Sequence, residues 1–335
     1  MRVLIAHNTV DPESDASDRD VLVQVEAVRE ALDRLGHASD VVACDLDFNP
    51  LHERVADFAP DRVFNLVESI GGTDRLMHLV PAYLEAAGVL HTGADGRSIA
   101  ETTNKPLAKR RLLSRGLPTP PWLDADAEHP ASPFRTGKYL IKAKYEHASF
   151  GLDDACVVDS HSTTDLADHV RRLESLHGRP CFAERFVEGR EFNLSLLVDG
   201  PKVDVLPVAE IEFTRHAPGR PRIVGYRAKW AEGSDEYAGT PRTFEFAPSD
   251  SRLLERLRDG ARACASIWNL GGYARVDFRV DDAGEPWILE VNANPCLSPD
   301  AGFAAALERA RIPFDRAIER ILDACPDADS ISGGP

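Results

Sequence analysis

The chain of 335 residues has room for two or three domains and a substantial core, and its apolar content of 43% is ordinary for a globular protein. A formal net charge of −16 argues against nucleic acid or an anionic membrane surface as the main partner, while leaving room for a local basic pocket. No apolar run approaches the roughly 18 residues of a membrane span, the acid-flanked opening MRVLIAHNTVDPESD does not suit a signal peptide, and six scattered cysteines without a CxxC pair suit reduced thiols, so a cytoplasmic location is expected.

Arg2 to Ala6 is an apolar run that predicts a first strand. Val21, Leu22, Val25, Val28, Leu32 and Leu35 repeat at helical spacing, and Gly36 closes that helix. Val41 to Ala43 and Val63 to Val67 read as further strands, and Leu76 to Ala87 as a helix ended by Gly88. This strand–helix alternation predicts a parallel sheet with helices on its faces. No GxGxxG follows the first strand, so a dinucleotide-binding domain is not supported.

Asn104 can cap a helix that takes Pro106 in its first turn and ends at Gly116, after which Pro118, Pro120 and Pro121 form a stiff connector. Lys138 to Lys144 is a lysine-bearing strand, followed by the small-residue loop Tyr145 to Gly151 and a strand at Ala155 to Val158. Such a strand and loop suit phosphate, held by a point charge and backbone N–H groups; they equally suit a sheet edge guarded against aggregation. Pro180 to Val187 and Glu191 to Val198 are strands divided by Glu188-Gly189-Arg190, and Val203 to Phe213 reads as one more strand. A polar loop, the segment Gly225 to Trp230 and an acidic loop precede a well-patterned helix from Leu253 to Trp268. Gly302 to Arg309 and Asp315 to Ala324 are closing helices, and the Ser- and Gly-rich end from Asp329 is expected to fray.

Between these helices lies GYARVDFRVDDAGEPWILEVNANPCLSP, from Gly272 to Pro299. Two runs alternating at period two are joined by the turn-rich Asp281-Asp282-Ala283-Gly284, the pattern of a β-hairpin. Arg275, Asp277 and Arg279 share one face of the first run; Glu290 and Asn292 share a face of the second, with Trp287, Leu289 and Val291 opposite. Folding the hairpin brings Asp277 level with Glu290, so that two carboxylates and an amide oxygen meet beside an arginine. Hard oxygen donors of this kind suit Mg²⁺ shared with phosphates. A solvated edge hairpin is the competing reading, but Glu290 lies inside the apolar run WILEVN, where an unpaired charge is costly.

Together these pieces resemble the ATP-grasp superfamily and, within it, the D-alanine–D-alanine ligase-like branch. The resemblance runs from about Phe64 to Ala324. Thr92-Gly93 with the Asn104-Lys105 helix and Gly116-Leu117-Pro118-Thr119-Pro120 is similar to that family's approach to its nucleotide domain. Ile141-Lys142 to Gly151 is similar to its phosphate-covering loop, and Ala183 to Phe192 to its adenine and ribose segment. Tyr226-Arg227-Ala228-Lys229-Trp230 resembles its (E/R)AKY element, and ARVDF…ILEVNANP its magnesium signature.

The resemblance implies an α/β chain, α+β in its ATP-binding part: an ATP-grasp fold behind a Rossmann-like domain. The implied division is 1–100 for that N-terminal domain, 101–185 for a central lid, 186–327 for the metal-bearing C-terminal part and 328–335 for a disordered tail. It implies ATP and one or two Mg²⁺ ions, with Mn²⁺ as a substitute, acting on small carboxylate and amine substrates; a homodimer is within its scope. Lys105 and Lys142, with Lys229 from the loop side, would face the phosphates. Glu184 and the backbone around Phe186 would hold adenine, and Glu191 the ribose. Asp277, Glu290 and Asn292 would hold the metal. Arg275, with Lys229, would act in the chemistry: a carboxylate takes the γ-phosphoryl group, and an amine displaces phosphate from the acyl phosphate.

The substrate half departs from the family. Its Gly-Gly-x-Ser-x-Glu element has no counterpart in His7 to Asp15, and a serine of the phosphate loop is replaced by Ala148. A glycine after the magnesium signature becomes Cys296, and a serine–leucine pair that holds the second substrate's carboxylate becomes Asp300-Ala301. Cys296 lacks a nearby histidine in sequence and reads as a core-facing thiol rather than a nucleophile. These departures predict substrates other than two D-alanines. D-alanine–D-alanine ligase itself, a ligase acting on a peptide terminus and an ATP-binding scaffold without turnover remain alternatives at this level.

Overall fold

The computed structural model describes residues 1–11, 13–124, 133–215, 217 and 219–325; the expected frayed tail lies outside them. The first part alternates as β1 (Arg2–Asn8), α1 (Ala16–Arg34), β2 (Ala38–Cys44), α2 (Asn49–Phe58) and β3 (Arg62–Asn65), followed by α3 (Leu79–Ala86). As the alternation predicts, β1 is the centre of a parallel sheet in the order β2-β1-β3. Val3 and Ile5 pack with α1 on one face, while Leu4 and Ala6 pack with Leu51 of α2 and Leu84 of α3 on the other. A strand covered on both faces has no polar alternation, which is why β1 reads as a continuous apolar run.

Next come α4 (Gly96–Thr103), α5 (Lys105–Ser114), β4 (Trp122–Leu123), β5 (Gly137–Ala143), β6 (Val157–Ser160), α6 (Thr163–His177) and β7 (Cys181–Arg185). The Asn104 side chain accepts from Leu107 N and starts α5 at the expected place. An antiparallel sheet in the order β4-β7-β5-β6 packs against Leu166, Val170 and Leu173 of α6.

The rest is β8 (Arg190–Asp199), β9 (Lys202–Val205), β10 (Ala209–Ile211), α7 (Tyr226–Trp230), α8 (Asp235–Ala238), β11 (Arg242–Thr243), α9 (Ser251–Ile267), β12 (Gly272–Val280), β13 (Pro286–Asn292), α10 (Gly302–Ala310) and α11 (Phe314–Asp323). The third sheet runs β11-β10-β8-β12-β13, with β9 also paired to β8. The strand expected from Val203 to Phe213 is therefore two, β9 and β10, pairing with opposite ends of β8. Pro207 lies in the break, where it has no N–H to give a ladder. Phe192, Leu194, Val276 and Phe278 point into the core beneath α9, while Glu191, Asn193, Arg275 and Asp277 face the opposite way into a cavity. Emptying the Phe278 position would cost about 3–5 kcal/mol.

The hairpin β12–β13 has the expected register, with Arg275 opposite Asn292 and Asp277 opposite Glu290. A bulge follows at once, between Asp277 and Phe278, so that Phe278 pairs with Ile288. The extra residue changes the parity of β13: Ile288 joins Val291 in the core, and Leu289, expected beside Val291, lines the cavity instead. Between β7 and β8 the chain turns at Gly189 with φ +140°, where a Cβ would stand 1.9 Å from Val280 O. Glycine is required there for β8 to enter beside β12.

Candidate active site

The three sheets enclose a cavity of about 980 Å³. Every residue expected to meet nucleotide or metal or to act in the chemistry lines it: Lys105, Lys142, Glu184, Phe186, Glu191, Lys229, Arg275, Asp277, Glu290 and Asn292. They come from α5, β5, β7 and its exit, β8, α7 and the hairpin, so the cavity exists only when the second and third sheets face each other.

At the hairpin end each carboxylate already has cationic company. Arg275 grips Asp277 bidentately, Nε to Oδ1 and Nη2 to Oδ2 at 2.8 Å each, and Asn193 Nδ2 donates to Asp277 Oδ1 at 2.8 Å. Glu290 Oε1 lies 2.8 Å from His147 Nδ1, and its Oε2 is 3.9 Å from the Lys105 ammonium. Burial disfavours a charge on Glu290, yet Lys105 and His147 outweigh it and hold its carboxyl well below the ordinary range. Burial, followed by Lys105, lowers the His147 pKa, so at neutral pH the ring is neutral and donates its Nδ1–H to Glu290. Asn292 Oδ1 accepts from Asn294 N at 3.0 Å, which aims the amide along the strand end.

The end expected to take the nucleotide is paired as well, except at Lys229. Glu184 Oε1 takes the Lys142 ammonium at 2.7 Å and its other oxygen takes buried Lys109. Glu191 is ion-paired to Arg279 at 2.8 Å, and that guanidinium lies over the rings of Phe186 and Phe213. Lys229 forms no ion pair among the described residues. Burial, then Arg275, lowers its pKa, the signature of an ammonium facing the cavity without a close counter-charge.

The loop from Tyr145 to Gly151 is clamped from both sides. His147 N donates to Asp74 Oδ2 at 2.7 Å, Trp230 Nε1 to Ala148 O at 3.1 Å, and Ser149 Oγ to Val224 O at 2.8 Å. Ala148 and Ser149 hold φ of 55° and 61°. Two neighbouring non-glycine residues in left-handed conformation cost about 1–2 kcal/mol each, and these bonds hold them there.

Sequence reasoning missed the opposite wall. Asp15, Asp18, Asp20 and Glu68 line the cavity from the first sheet's loops and α1. Cys296, expected to face the core, lines the cavity as well: its Sγ donates to Asp20 Oδ2 at 2.9 Å, while Ser298 Oγ donates to Asp20 Oδ1 at 2.8 Å. The packing that should have buried it is taken by its neighbour Leu297. Burial, then Glu68 and Asp20, raise its pKa well above the ordinary thiol value, so it is no thiolate nucleophile. Burial also pushes Glu68 up to about 7. His147 and Asn193 were missed too. Asn193 had a usable signal, standing two residues from Glu191 on the same face of β8; His147 was hidden in a loop read for its backbone.

The architecture is that of known enzymes. The crystal structure of D-alanine–D-alanine ligase from Bacillus anthracis complexed with ATP matches with a TM-score of 0.71 at 19% identity, over 97% of each chain. The class so defined is the ATP-grasp fold. Residues 139–323 match the family model described as D-ala D-ala ligase C-terminus. The chain is 30% identical over 323 residues to the D-alanine–D-alanine ligase of Moorella thermoacetica, covering 92% of this chain and 95% of that one. It is also 30% identical over 306 residues to a Sinorhizobium fredii protein named "Uncharacterized protein y4sG", covering 89% and 86%. The chain belongs to the D-alanine–D-alanine ligase family and is an ATP-dependent ligase that forms C–N bonds.

Proposed function

We propose that the chain joins a small carboxylate to an amine through an acyl phosphate, and that its substrates are not two D-alanines. The observation that carries this reading is the contrast inside one cavity: a complete set of expected nucleotide-side residues faces a wall where Asp20, Cys296 and Ser298 are bonded together at the substrate end.

Lys105, Lys142 and Lys229 neutralise the triphosphate, and positioning does most of the work of phosphoryl transfer. Asp277, Glu290 and Asn292 present three hard oxygens from facing strands. Among the described residues no group of three or more His, Cys, Asp or Glu could hold a metal. Two carboxylates and an amide fit Mg²⁺; Asp277, Glu290 and Asn292 would hold it, and it would supply charge neutralisation. Arg275, bonded to Asp277, lines the same cavity beside these residues. A substrate carboxylate oxygen attacks the γ-phosphorus, the bond to the bridging oxygen breaks, and ADP leaves. The amine nitrogen then attacks the acyl carbon, the C–O bond to phosphate breaks, and the nitrogen gives up a proton. Arg275 stabilises the oxyanion of that second step. The carboxylates of the opposite wall suit an amine that arrives as an ammonium.

A phosphate-release screen over pairs of amino acids and small carboxylates tests the proposal. A pair other than two D-alanines is expected to release ADP and phosphate fastest; robust turnover on D-alanine alone overturns the substrate part of the reading.

A further inference from the structure

Lys109 sits one helical turn beyond Lys105 on α5, on the same face, but it does not reach the cavity. Its side chain is 1% exposed. The ammonium donates to Thr119 Oγ1 at 2.7 Å and to Pro120 O at 3.4 Å, and it is ion-paired with Glu184 Oε2. Thr119 Oγ1 passes the chain of bonds on to Ile288 O at 2.7 Å, two residues before Glu290 on β13. Glu184 is therefore gripped twice, by Lys142 from the cavity side and by Lys109 from the interior.

The two grips differ in what a nucleotide does to them. Lys142 lines the cavity and is within its reach; on the reading above it turns to the phosphates. Glu184 would then be a buried carboxylate with one counter-ion missing. Burial disfavours its charge, and it is the two ammonium groups together that keep its pKa lowered. Lys109 is buried and held in place by Thr119, Pro120 and Glu184. A carboxylate held ionised accepts from the exocyclic amine of adenine and repels the carbonyl oxygen that guanine carries at the same place; a protonated or displaced one discriminates poorly.

We propose that Lys109 is a positioning residue for nucleotide selection, keeping Glu184 aimed at the cavity while Lys142 serves the phosphates, and that ATP is preferred over GTP through this buried pair. The inference rests on Glu184 being the adenine-reading group of the proposed function.

The test is titration calorimetry of the full chain with ATP·Mg²⁺ and with GTP·Mg²⁺, no carboxylate substrate present. The wild type is expected to bind ATP more tightly. Lys109→Met should lower the ATP-to-GTP affinity ratio roughly tenfold, with GTP affinity within about twofold of wild type, because a bond to a charged acceptor is lost for adenine alone. Lys109→Arg, which keeps the charge, should recover part of that ratio. Lys142→Met should weaken both nucleotides alike and leave the ratio in place. A ratio of affinities does not depend on how much of a variant is folded, so a merely structural lysine would not move it. A wild-type ratio in Lys109→Met overturns the inference and leaves the adenine role of Glu184 standing. A wild type without preference for ATP overturns that role itself.

Discussion

The two ends of the cavity handle charge in opposite ways. At the nucleotide end, acids and bases alternate: Lys105 and His147 on Glu290, Arg275 on Asp277, Lys142 and Lys109 on Glu184, Arg279 on Glu191. At the substrate end, carboxylates meet neutral donors, a thiol and a hydroxyl on Asp20 and the Gln24 amide on Glu68, and burial, followed by neighbouring carboxylates, raises the pKa of Asp18 and Glu68. Pairing offsets part of the cost of burying each charge, and breaking one partner out is costly. Among the described residues Asp20 has no cation on it, only a thiol, a hydroxyl and the Gln24 amide.

The contrast is broken most directly at the metal side. Glu290→Gln removes charge from the proposed metal site and leaves Lys105 without its neighbour, so turnover should fall by more than about a thousandfold. ADP release by the purified variant measures this, and the Mg²⁺ dependence of ATP affinity should be lost with it; unchanged Mg²⁺ dependence would remove Glu290 from the metal.

Arg275→Ala is the sharper case. Its guanidinium is bound to Asp277, so deletion frees a carboxylate rather than exposing a phosphate site. The chemical step should slow by roughly 10²–10³-fold, while ATP·Mg²⁺ affinity stays at least as high as in the wild type. Single-turnover kinetics alongside calorimetry separates the two, and a large loss of ATP affinity would move Arg275 from the chemistry to the phosphates.

At the other end, Cys296→Ala breaks the thiol's bond to Asp20 while Leu297 keeps the loop in the core. The KM of a substrate found by the phosphate-release screen should rise by roughly two- to tenfold, the worth of one such bond, with the KM for ATP unchanged. A change confined to ATP would show that the thiol belongs to the nucleotide side.

The same division decides what could be read from the chain. The hairpin β12–β13 was legible because its evidence is local: charged residues at every second position of two apolar runs give both register and face. Its bulge was not, since one extra residue leaves the composition unchanged and shows only as Leu289 turned into the cavity. The helix α4 has Ile99 as its lone large apolar residue and is held by the Asp95 cap and the Ser98 and Thr102 side chains, a pattern that resembles a loop. The substrate wall has no local signature at all, because Cys296 and Asp20 are 276 residues apart and meet only when α1 closes over the end of the hairpin.

Glu68 offers the smallest and most specific probe of that wall. In the fold its carboxyl holds a proton up to about pH 7, first because it is buried, with Asp20 and Asp18 adding to the effect against the Gln24 bond. In the unfolded chain it would release that proton near its ordinary 4.5. Between these values the folded state binds more protons than the unfolded one, so this group's contribution to stability is full below about pH 4.5, falls as pH rises toward 7, and is flat above. Glu68→Gln keeps the shape of the protonated acid and removes the dependence. Melting curves should therefore show the variant roughly a few degrees more stable than wild type at pH 8, with the gap closing toward pH 5. A gap that is constant with pH, or that widens on acidification, would mean that Glu68 is already compensated by a cation and that the substrate end is charged like the nucleotide end after all.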